Sequence, residues 1–329
     1  MERRSVLRFL LVFLLSLCAE GASIALGEGH SCVSLTGGTV KCWGYNANGQ
    51  LGNGTLGSGT DSPTPVDVSG ITTATSLALG YHHSCALLTG GTVKCWGGNL
   101  YGQLGNGTLG SGTDSPTPVD VSGITTATSL ALGYHHSCAL LTGGTVKCWG
   151  RDNKGQLGNG DETTADSATP VDVSGITTAT SIAVGGQFSC AVLTGGTVKC
   201  WGSNNYGQLG NGTTANSATP VDVADITTAT SLALGTYHSC ALLTGGTVKC
   251  WGYGENGQLG NDAFADSSTP VDVSGITTAT SLAPGGSYAN HHSCALLTGG
   301  TVKCWGYGYY GQLGNETTGT TANSATPVD

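Results

Sequence analysis

The chain has 329 residues, of which only 9% are charged and 56 are glycine, and it carries a formal net charge of −9 at neutral pH. That balance excludes a nucleic-acid or anionic-membrane surface, which needs clustered Lys and Arg. It also excludes simple low complexity, because the glycines recur at fixed positions beside Trp, Leu and Val, as they do in turn-rich all-β chains.

Residues 1–21 stand apart from the rest. Arg3, Arg4 and Arg8 flank the apolar run from Phe9 to Leu17, and Ala19 and Gly21 follow at the small-residue positions of a cleavage site. This is the pattern of a secretory signal, too short for a membrane span. The segment from Arg3 to Arg8 loosely resembles a twin-arginine export signal. Leu17 disfavours lipoprotein processing at Cys18. Cleavage after residue 21 removes three basic and two acidic residues and leaves −10. The expectation is a secreted, periplasmic or cell-surface protein, monomeric, with no membrane insertion after cleavage and no nucleic-acid partner.

Residues 22–329 read as one repeat domain. The pattern S-C-[AV]-[LVS]-L-T-G-G-T-V-K-C-W-G, followed after four free residues by G-Q-L-G-N, is written six times. The first cysteines of successive copies lie 53, 53, 52, 50 and 54 residues apart. A period of that size means one supersecondary unit that needs its neighbours to bury its apolar surface.

The cysteine pairs in chain order are Cys32 with Cys42, Cys85 with Cys95, Cys138 with Cys148, Cys190 with Cys200, Cys240 with Cys250, and Cys294 with Cys304. If Thr89-Gly90-Gly91 is a three-residue hairpin loop, Leu88 faces Thr92 and Cys85 faces Cys95 at a non-hydrogen-bonded position, where opposed side chains lie closest. In an exported protein, six cross-strand disulfides follow. The rival is zinc held by His83-type residues with both cysteines. It fits poorly, because structural zinc favours closer cysteine spacing and the fourth copy has Phe188 in place of the His. Neither a metal nor a cofactor is expected.

The second copy serves for the strand reading. Thr64 to Val68 starts extended, its Pro suited to an edge, and Ser76 to Gly80 alternates as a strand. In the hairpin His83–Leu88 and Thr92–Gly97, Cys85, Leu87, Val93 and Cys95 share one face, and Ala86, Lys94 and Trp96 the other. Gly102 to Asn106 is too glycine-rich for a strand, with Leu104 a plug between neighbouring units. About four strands in ~50 residues is the size of a propeller blade.

The pattern P-V-x-V…S-L-A-L-G-x-x-H-S-C-A-L-x-x-x-G-x-V-x-C-W-G-x-N-x-x-G-Q-L-G resembles the regulator of chromosome condensation repeat over essentially all of residues 22–329. The resemblance implies an all-β propeller of four-stranded blades, with Trp96-type residues and the G-Q-L-G segments packing blade on blade. Founding eukaryotic members of that family are nucleotide exchange factors for a small GTPase on chromatin. Secreted bacterial members include a β-lactamase-inhibitor protein that binds through propeller loops. Paired cysteines and a leader make this chain similar to the bacterial, exported branch. Six units stand where the family commonly has seven. The expectation is a closed six-bladed ring, in which Thr326-Pro327-Val328-Asp329 pairs with the first blade, which lacks a preceding P-V-D strand. An open or truncated array is the alternative.

Near-identity makes the copies their own comparison. Variable positions follow C-W-G (Tyr45, Gly98, Arg151, Ser203, Tyr253, Tyr307) and lie three residues beyond (Asn48, Tyr101, Lys154, Tyr206, Asn256, Tyr310). Others precede S-C: Glu28, Tyr81, Tyr134, Gln187, Tyr237 and Gly286 to Asn290. Rigid aromatics among small polar residues suit adaptable protein binding. The candidate binding residues are Tyr45, Tyr81, Tyr101, Tyr134, Arg151, Tyr206, Tyr237, Tyr253, Tyr307 and Tyr310, and the expected partner is an extracellular or surface protein. The bland alternative is exposed turns whose tyrosines cover backbone.

No catalytic residue is expected. The recurring His30, His83, His136, His238 and His292 read as strand-start hydrogen-bonding fixtures, since sites on repeat scaffolds usually break the repeat. A hydrolase or lyase using a central channel would have to draw on scattered acids such as Glu28, Asp152 and Glu255. Export argues against nucleotide exchange.

Overall fold

The computed structural model describes residues 23–285, 291–319 and 321–329. The expected leader over 1–21, Cys18 and the variable loop 286–290 lie outside the described residues.

Each C-x9-C segment folds as the hairpin that its T-G-G centre dictates. In the second copy, β6 (His83–Leu88) returns as β7 (Val93–Gly97). The Leu88 amide donates to the Thr92 carbonyl at 2.9 Å, and Cys85 stands opposite Cys95. Gly90 and Gly91 both have φ near +90° (92° and 84°), and a Cβ on Gly91 would lie 2.9 Å from the Thr125 carbonyl oxygen. Only glycine meets both demands.

All six expected disulfides are present. Cys32 is bonded to Cys42, Cys85 to Cys95 and Cys138 to Cys148. Cys190 is bonded to Cys200, Cys240 to Cys250 and Cys294 to Cys304. In each pair the Cα atoms lie 4.1 Å apart, the closeness of a non-hydrogen-bonded cross-strand pair. The ladders agree, placing Cys148 opposite Cys138, Cys200 opposite Cys190 and Cys250 opposite Cys240.

An inner strand precedes each hairpin and an outer strand follows it, giving six four-stranded antiparallel sheets. The first is β1 (Ser23–Leu26), β2 (His30–Ser34), β3 (Val40–Gly44) and β4 (Ser62–Asp67); the second is β5 (Ala74–Leu79), β6, β7 and β8 (Ser115–Asp120). The third is β9 (Ala127–Leu132), β10 (His136–Leu141), β11 (Val146–Gly150) and β12 (Ser167–Asp172); the fourth is β13 (Ala179–Val184), β14 (Phe188–Leu193), β15 (Val198–Gly202) and β16 (Ser217–Asp222). The fifth is β17 (Ala229–Leu234), β18 (His238–Leu243), β19 (Val248–Gly252) and β20 (Ser267–Asp272). The sixth is β21 (Ala279–Gly285), β22 (His292–Leu297), β23 (Val302–Gly306) and β24 (Ser324–Val328).

The P-V-D strand corrects the sequence reading. It does not open a blade, and β24 does not clasp the first sheet. In every copy it closes the sheet whose hairpin precedes it: β4 pairs with β3, placing Asp67 opposite Lys41, and β24 pairs with β23, placing Val328 opposite Cys304. The side chains at the strand's end match this pairing. Each hairpin Lys reaches the Asp of its own following strand, from Lys41 to Asp67 at 2.6 Å through to Lys303 to Asp329 at 2.7 Å. The ladder also shifts register between Cys42 and Gly44, at Trp43. Such a bulge turns one side chain out of line with its neighbours.

By its contacts the chain divides into two compact units, Met1–Leu130 with Ala168–Pro170, and Ala131–Ser167 with Val171–Asp329. In the first unit, Cys32, Val40, Cys42 and Leu51 of the first sheet pack against Ala86 and Trp96 of the second, with Val68 and Ile71 between them. The second unit repeats this joint three times. Trp201 enters the cluster of Cys138 and Cys148, Trp251 that of Cys190 and Cys200, and Trp305 that of Cys240 and Cys250. The two hairpin faces read from the sequence are therefore the two halves of one joint. Leu51, Leu104, Leu157, Leu209 and Leu259 are fully buried, and those in the clusters (Leu51, Leu157, Leu209, Leu259) plug the joints. At the four joints just described the indole also donates to the preceding G-Q-L-G turn, as from Trp96 Nε1 to the Gln50 carbonyl at 2.9 Å and from Trp251 Nε1 to that of Gln208 at 2.9 Å. Gly210, at φ 70°, must be glycine here, since a Cβ would meet Trp251 Nε1 at 2.7 Å.

Candidate functional site

The variable loops bring some of the expected residues together. In the second unit, Tyr206 follows β15, Tyr237 precedes β18 and Tyr253 follows β19, so the loops of two adjacent sheets meet. Tyr206 lies 5.1 Å, centroid to centroid, from both Tyr237 and Tyr253, and Tyr237 lies 6.5 Å from Tyr253. All three pairs are tilted or edge-on, the preferred aromatic geometry. His291 joins Tyr237 at 5.7 Å. The Tyr253 hydroxyl donates to Glu255 at 3.2 Å. Burial first, and the Glu255 carboxylate second, push that phenol up to about 12, so it stays protonated and available as a donor.

Tyr307 and Tyr310 form a separate group with Tyr309, whose ring lies 4.9 Å from that of Tyr310. Tyr309 was missed in the sequence, although its doubling with Tyr310 breaks the repeat. In the first unit, Tyr45 and Tyr81 both face His82, at 6.3 and 4.2 Å. Tyr134 turns instead to the Thr236 hydroxyl, at 2.7 Å. Tyr101 and Arg151 are half-buried; the Tyr101 amide donates to Gln103 Oε1 at 3.0 Å and that of Arg151 to the His135 carbonyl at 2.9 Å.

His30, His136 and His238 lie inside the joints. His30 Nε2 is 2.8 Å from Ser84 Oγ of the next sheet, and His136 Nε2 is 2.9 Å from Ser189 Oγ. A buried His–Ser pair invites a nucleophile reading, but the proton runs the wrong way. Ser84 Oγ donates to the Gln50 carbonyl at 3.0 Å, and Ser189 Oγ to that of Gln156 at 3.2 Å. Each hydroxyl therefore accepts from the imidazole, which cannot act as its base. Burial, with a neighbouring His second, pushes His30 down to about 4 and His136 and His238 down to about 3.

Against known proteins, the sequence matches the family described as "RCC1-like domain" over residues 9–329. The chain belongs to the RCC1-like family. The ultraviolet-B receptor UVR8 of Arabidopsis thaliana is 33% identical over 194 residues, 57% of this chain and 43% of the receptor. Protein pim1 of Schizosaccharomyces pombe is 30% identical over 213 residues, 59% of this chain and 39% of pim1. The chain thus spans less than half the length of these relatives. Among solved structures, human WBSCR16 matches with TM-score 0.80 at 23% identity, covering 93% of this chain and 81% of that one. Yeast RCC1 (Prp20), solved with Kap60, matches with TM-score 0.77 at 24% identity, covering 93% and 74%. At that identity the likeness speaks for the fold: six four-stranded antiparallel sheets of an RCC1-like propeller.

Within this RCC1-like frame one buried position breaks the repeat. Asn46, Asn99 and Asn204 each accept from the Leu amide five residues on, and each Nδ2 donates to the carbonyl nine residues on, at 2.9 to 3.0 Å. The fifth and sixth copies carry Gly254 and Gly308 there, and the third carries a carboxylate, Asp152. Its Oδ1 accepts from the Leu157 amide at 2.9 Å, while Oδ2 is buried with no hydrogen-bond partner among the described residues. Burial first, then the carboxylates of Asp161 and Asp166, raise Asp152 to about 6 against the opposing Leu157 bond. Asp152 is therefore sealed inside its own loop. Glu255 is exposed beside Tyr253 and Glu28 is exposed ahead of β2.

Proposed function

We propose that this chain is an exported, non-catalytic interaction module that holds a protein partner through its tyrosine-rich loops. The observation that carries the reading is the Tyr206/Tyr237/Tyr253 group. Its members occupy positions free to vary between copies, yet they converge from the loops of two sheets, with the Tyr253 hydroxyl fixed by Glu255. Packed tyrosines give large contact area at little entropic cost, the property of binding surfaces. The RCC1-like propeller is a fold often used for protein binding. Six disulfides suit an oxidising compartment, in accord with the leader read from residues 1–21.

The test is capture of partners from native medium by the wild-type chain and by a Tyr206→Ser/Tyr237→Ser/Tyr253→Ser variant. The expected outcome is loss of a partner with the melting temperature within a few degrees of wild type. An unchanged partner set would sink the reading. Hydrolysis of model ester, glycoside and peptide substrates, assayed alongside, is expected to be absent in both proteins.

A further inference from the structure

The loop that carries G-Q-L-G-N is closed by the same three anchors in the asparagine copies and in the third copy. The amide of its first residue donates forward, from Asn46 to Asp61 Oδ1 at 2.8 Å, from Asn204 to Asn216 Oδ1 at 2.8 Å and from Asp152 to Asp166 Oδ1 at 2.9 Å. The Oδ1 of that first residue accepts from the Leu amide at 2.9 Å in all three. Within the loop, Asn53 Oδ1 accepts from the Thr55 amide at 3.2 Å, and Asn159 Oδ1 from the Asp161 amide at 3.0 Å. The third loop thus holds its backbone as the asparagine loops do.

Those anchors fix what the second side-chain atom faces. Asn46 Nδ2 donates to the Thr55 and Thr60 carbonyls at 3.0 and 3.3 Å, and Asn204 Nδ2 to the Thr213 and Ala215 carbonyls at 3.0 and 2.9 Å. The counterparts in the third loop are the carbonyls of Asp161 and Ala165. There the amide nitrogen is replaced by Asp152 Oδ2, an oxygen of a fully buried residue, without a hydrogen-bond partner among the described residues. Three oxygens face one spot with no donor among them. A second acid accompanies the first, because the place of Thr55, Thr108 and Thr213 is taken by Asp161. The carboxylates of Asp161 and Asp166 both act on Asp152. Buried oxygens backed by negative charge call for a positive occupant.

We propose that the loop over residues 152–166 is a calcium site, with Asp152 Oδ2 and the carbonyls of Asp161 and Ala165 as its protein oxygens. The Asp161 carboxylate lies beside them, and water completes the shell. Calcium takes carboxylate, carbonyl and water oxygens in irregular geometry, whereas magnesium demands a strict octahedron and zinc favours nitrogen and sulfur. No three acidic, His or Cys side chains gather as a metal group among the described residues. Affinity is therefore on the order of 10⁻⁴ to 10⁻³ M, the range of extracellular modules. Glu162 and Ala165 are exposed, so the ion enters from the outer edge of the loop. This departs from the metal-free chain expected from the sequence and does not rest on the tyrosine loops.

Calorimetric titration of the full chain with calcium chloride at pH 7.5, after treatment with chelator and desalting, tests the proposal. One saturable site per chain is expected, with a melting temperature that rises by a few degrees in about 10 mM calcium and by less in equal magnesium. Asp152→Asn, which restores the amide of the sister loops, should abolish both responses. In chelator the same variant should melt above wild type. Asp161→Asn should weaken binding by about tenfold, while Glu162→Gln, at an exposed acid of the same loop, should stay within about twofold of wild type. Near-ultraviolet circular dichroism checks that Asp152→Asn keeps the fold, and Asp152→Ser stands in for it should it not. No saturable heat, a calcium response that survives in the Asp152 variant, or an equal loss in Glu162→Gln would each overturn the proposal.

Discussion

The hairpins of the fifth and sixth sheets carry the same residues, H-S-C-A-L-L-T-G-G-T-V-K-C-W-G, yet they hold them differently. Trp251 and Trp305 are equally buried, so the Trp faces of the two sheets are equivalent. On the other face, Leu242 and Val248 are covered where Leu296 and Val302 are not. Identical sequence with unequal burial means that the stability of a hairpin belongs to the joint and not to the sheet. This is nearest-neighbour coupling as expected of a repeat array.

The difference can be broken most sharply at the leucines. Leu242→Ala should cost about 2–5 kcal/mol, the range for a large-to-small change in a closed core. Leu296→Ala, at an open position, should stay within about 1 kcal/mol. Urea denaturation of both variants measures the contrast; equal losses would mean that coverage does not set the energetics.

A second contrast sets Asp152 against its asparagine counterparts. Because its folded pKa is raised to about 6 and its unfolded value is near 3.9, the folded state holds the proton more tightly. Its contribution is present below pH ~4 and lost as pH rises through ~6. Asp152→Asn restores the donor that Asn46, Asn99 and Asn204 supply in three of the other five loops. It should stabilise the chain at pH 7.5 by on the order of 1–3 kcal/mol and have little effect near pH 4. Paired melts at the two pH values check this; a difference that does not change with pH refutes it.

The histidines run the other way. His30, His136 and His238 are held neutral by burial, and the unfolded chain takes up protons near pH 6.5. Their stability contribution is complete above that value and is lost as pH falls toward ~4. The fourth sheet already carries Phe188 at this position. His238→Phe should therefore flatten the loss between pH 6.5 and 4.5 by roughly 1 kcal/mol or more, since each unit of unequal protonation is worth about 1.4 kcal/mol. The slope of stability against pH reports it.

The smallest effect belongs to the ion pairs. Lys249 and Asp272 meet at 2.8 Å, but the Asp side chain is 79% exposed. Lys249→Ala should change stability by less than about 1 kcal/mol, and less still in high salt. A larger loss would show that the outer strand depends on charge and not on its ladder.

The hairpin was readable in the sequence because cysteine spacing and the T-G-G turn fix one register between them. Ownership of the P-V-D strand was not. Lys41 precedes Asp67 by 26 residues, and Lys94 follows it by 27, so spacing alone cannot say which lysine the aspartate meets. In a repeat, any strand can be counted first. The tyrosine positions were visible as breaks in the repeat, but which of them meet depends on how loops from two sheets lean. Tyr134, for example, turns to Thr236, 102 residues away in sequence. Asp152 stood out only as a scattered acid; its strain appears once the neighbouring loops show an amide donor in the same place.

Each sulfur bridge ties residues ten apart within one turn-back of the chain, and none ties one sheet to another. Twelve nearly interchangeable thiols would otherwise invite mismatched partners. A loop this short closes far more readily than any contact between repeats. Oxidation can therefore proceed hairpin by hairpin as the polypeptide emerges, each pair sealed before its look-alike arrives.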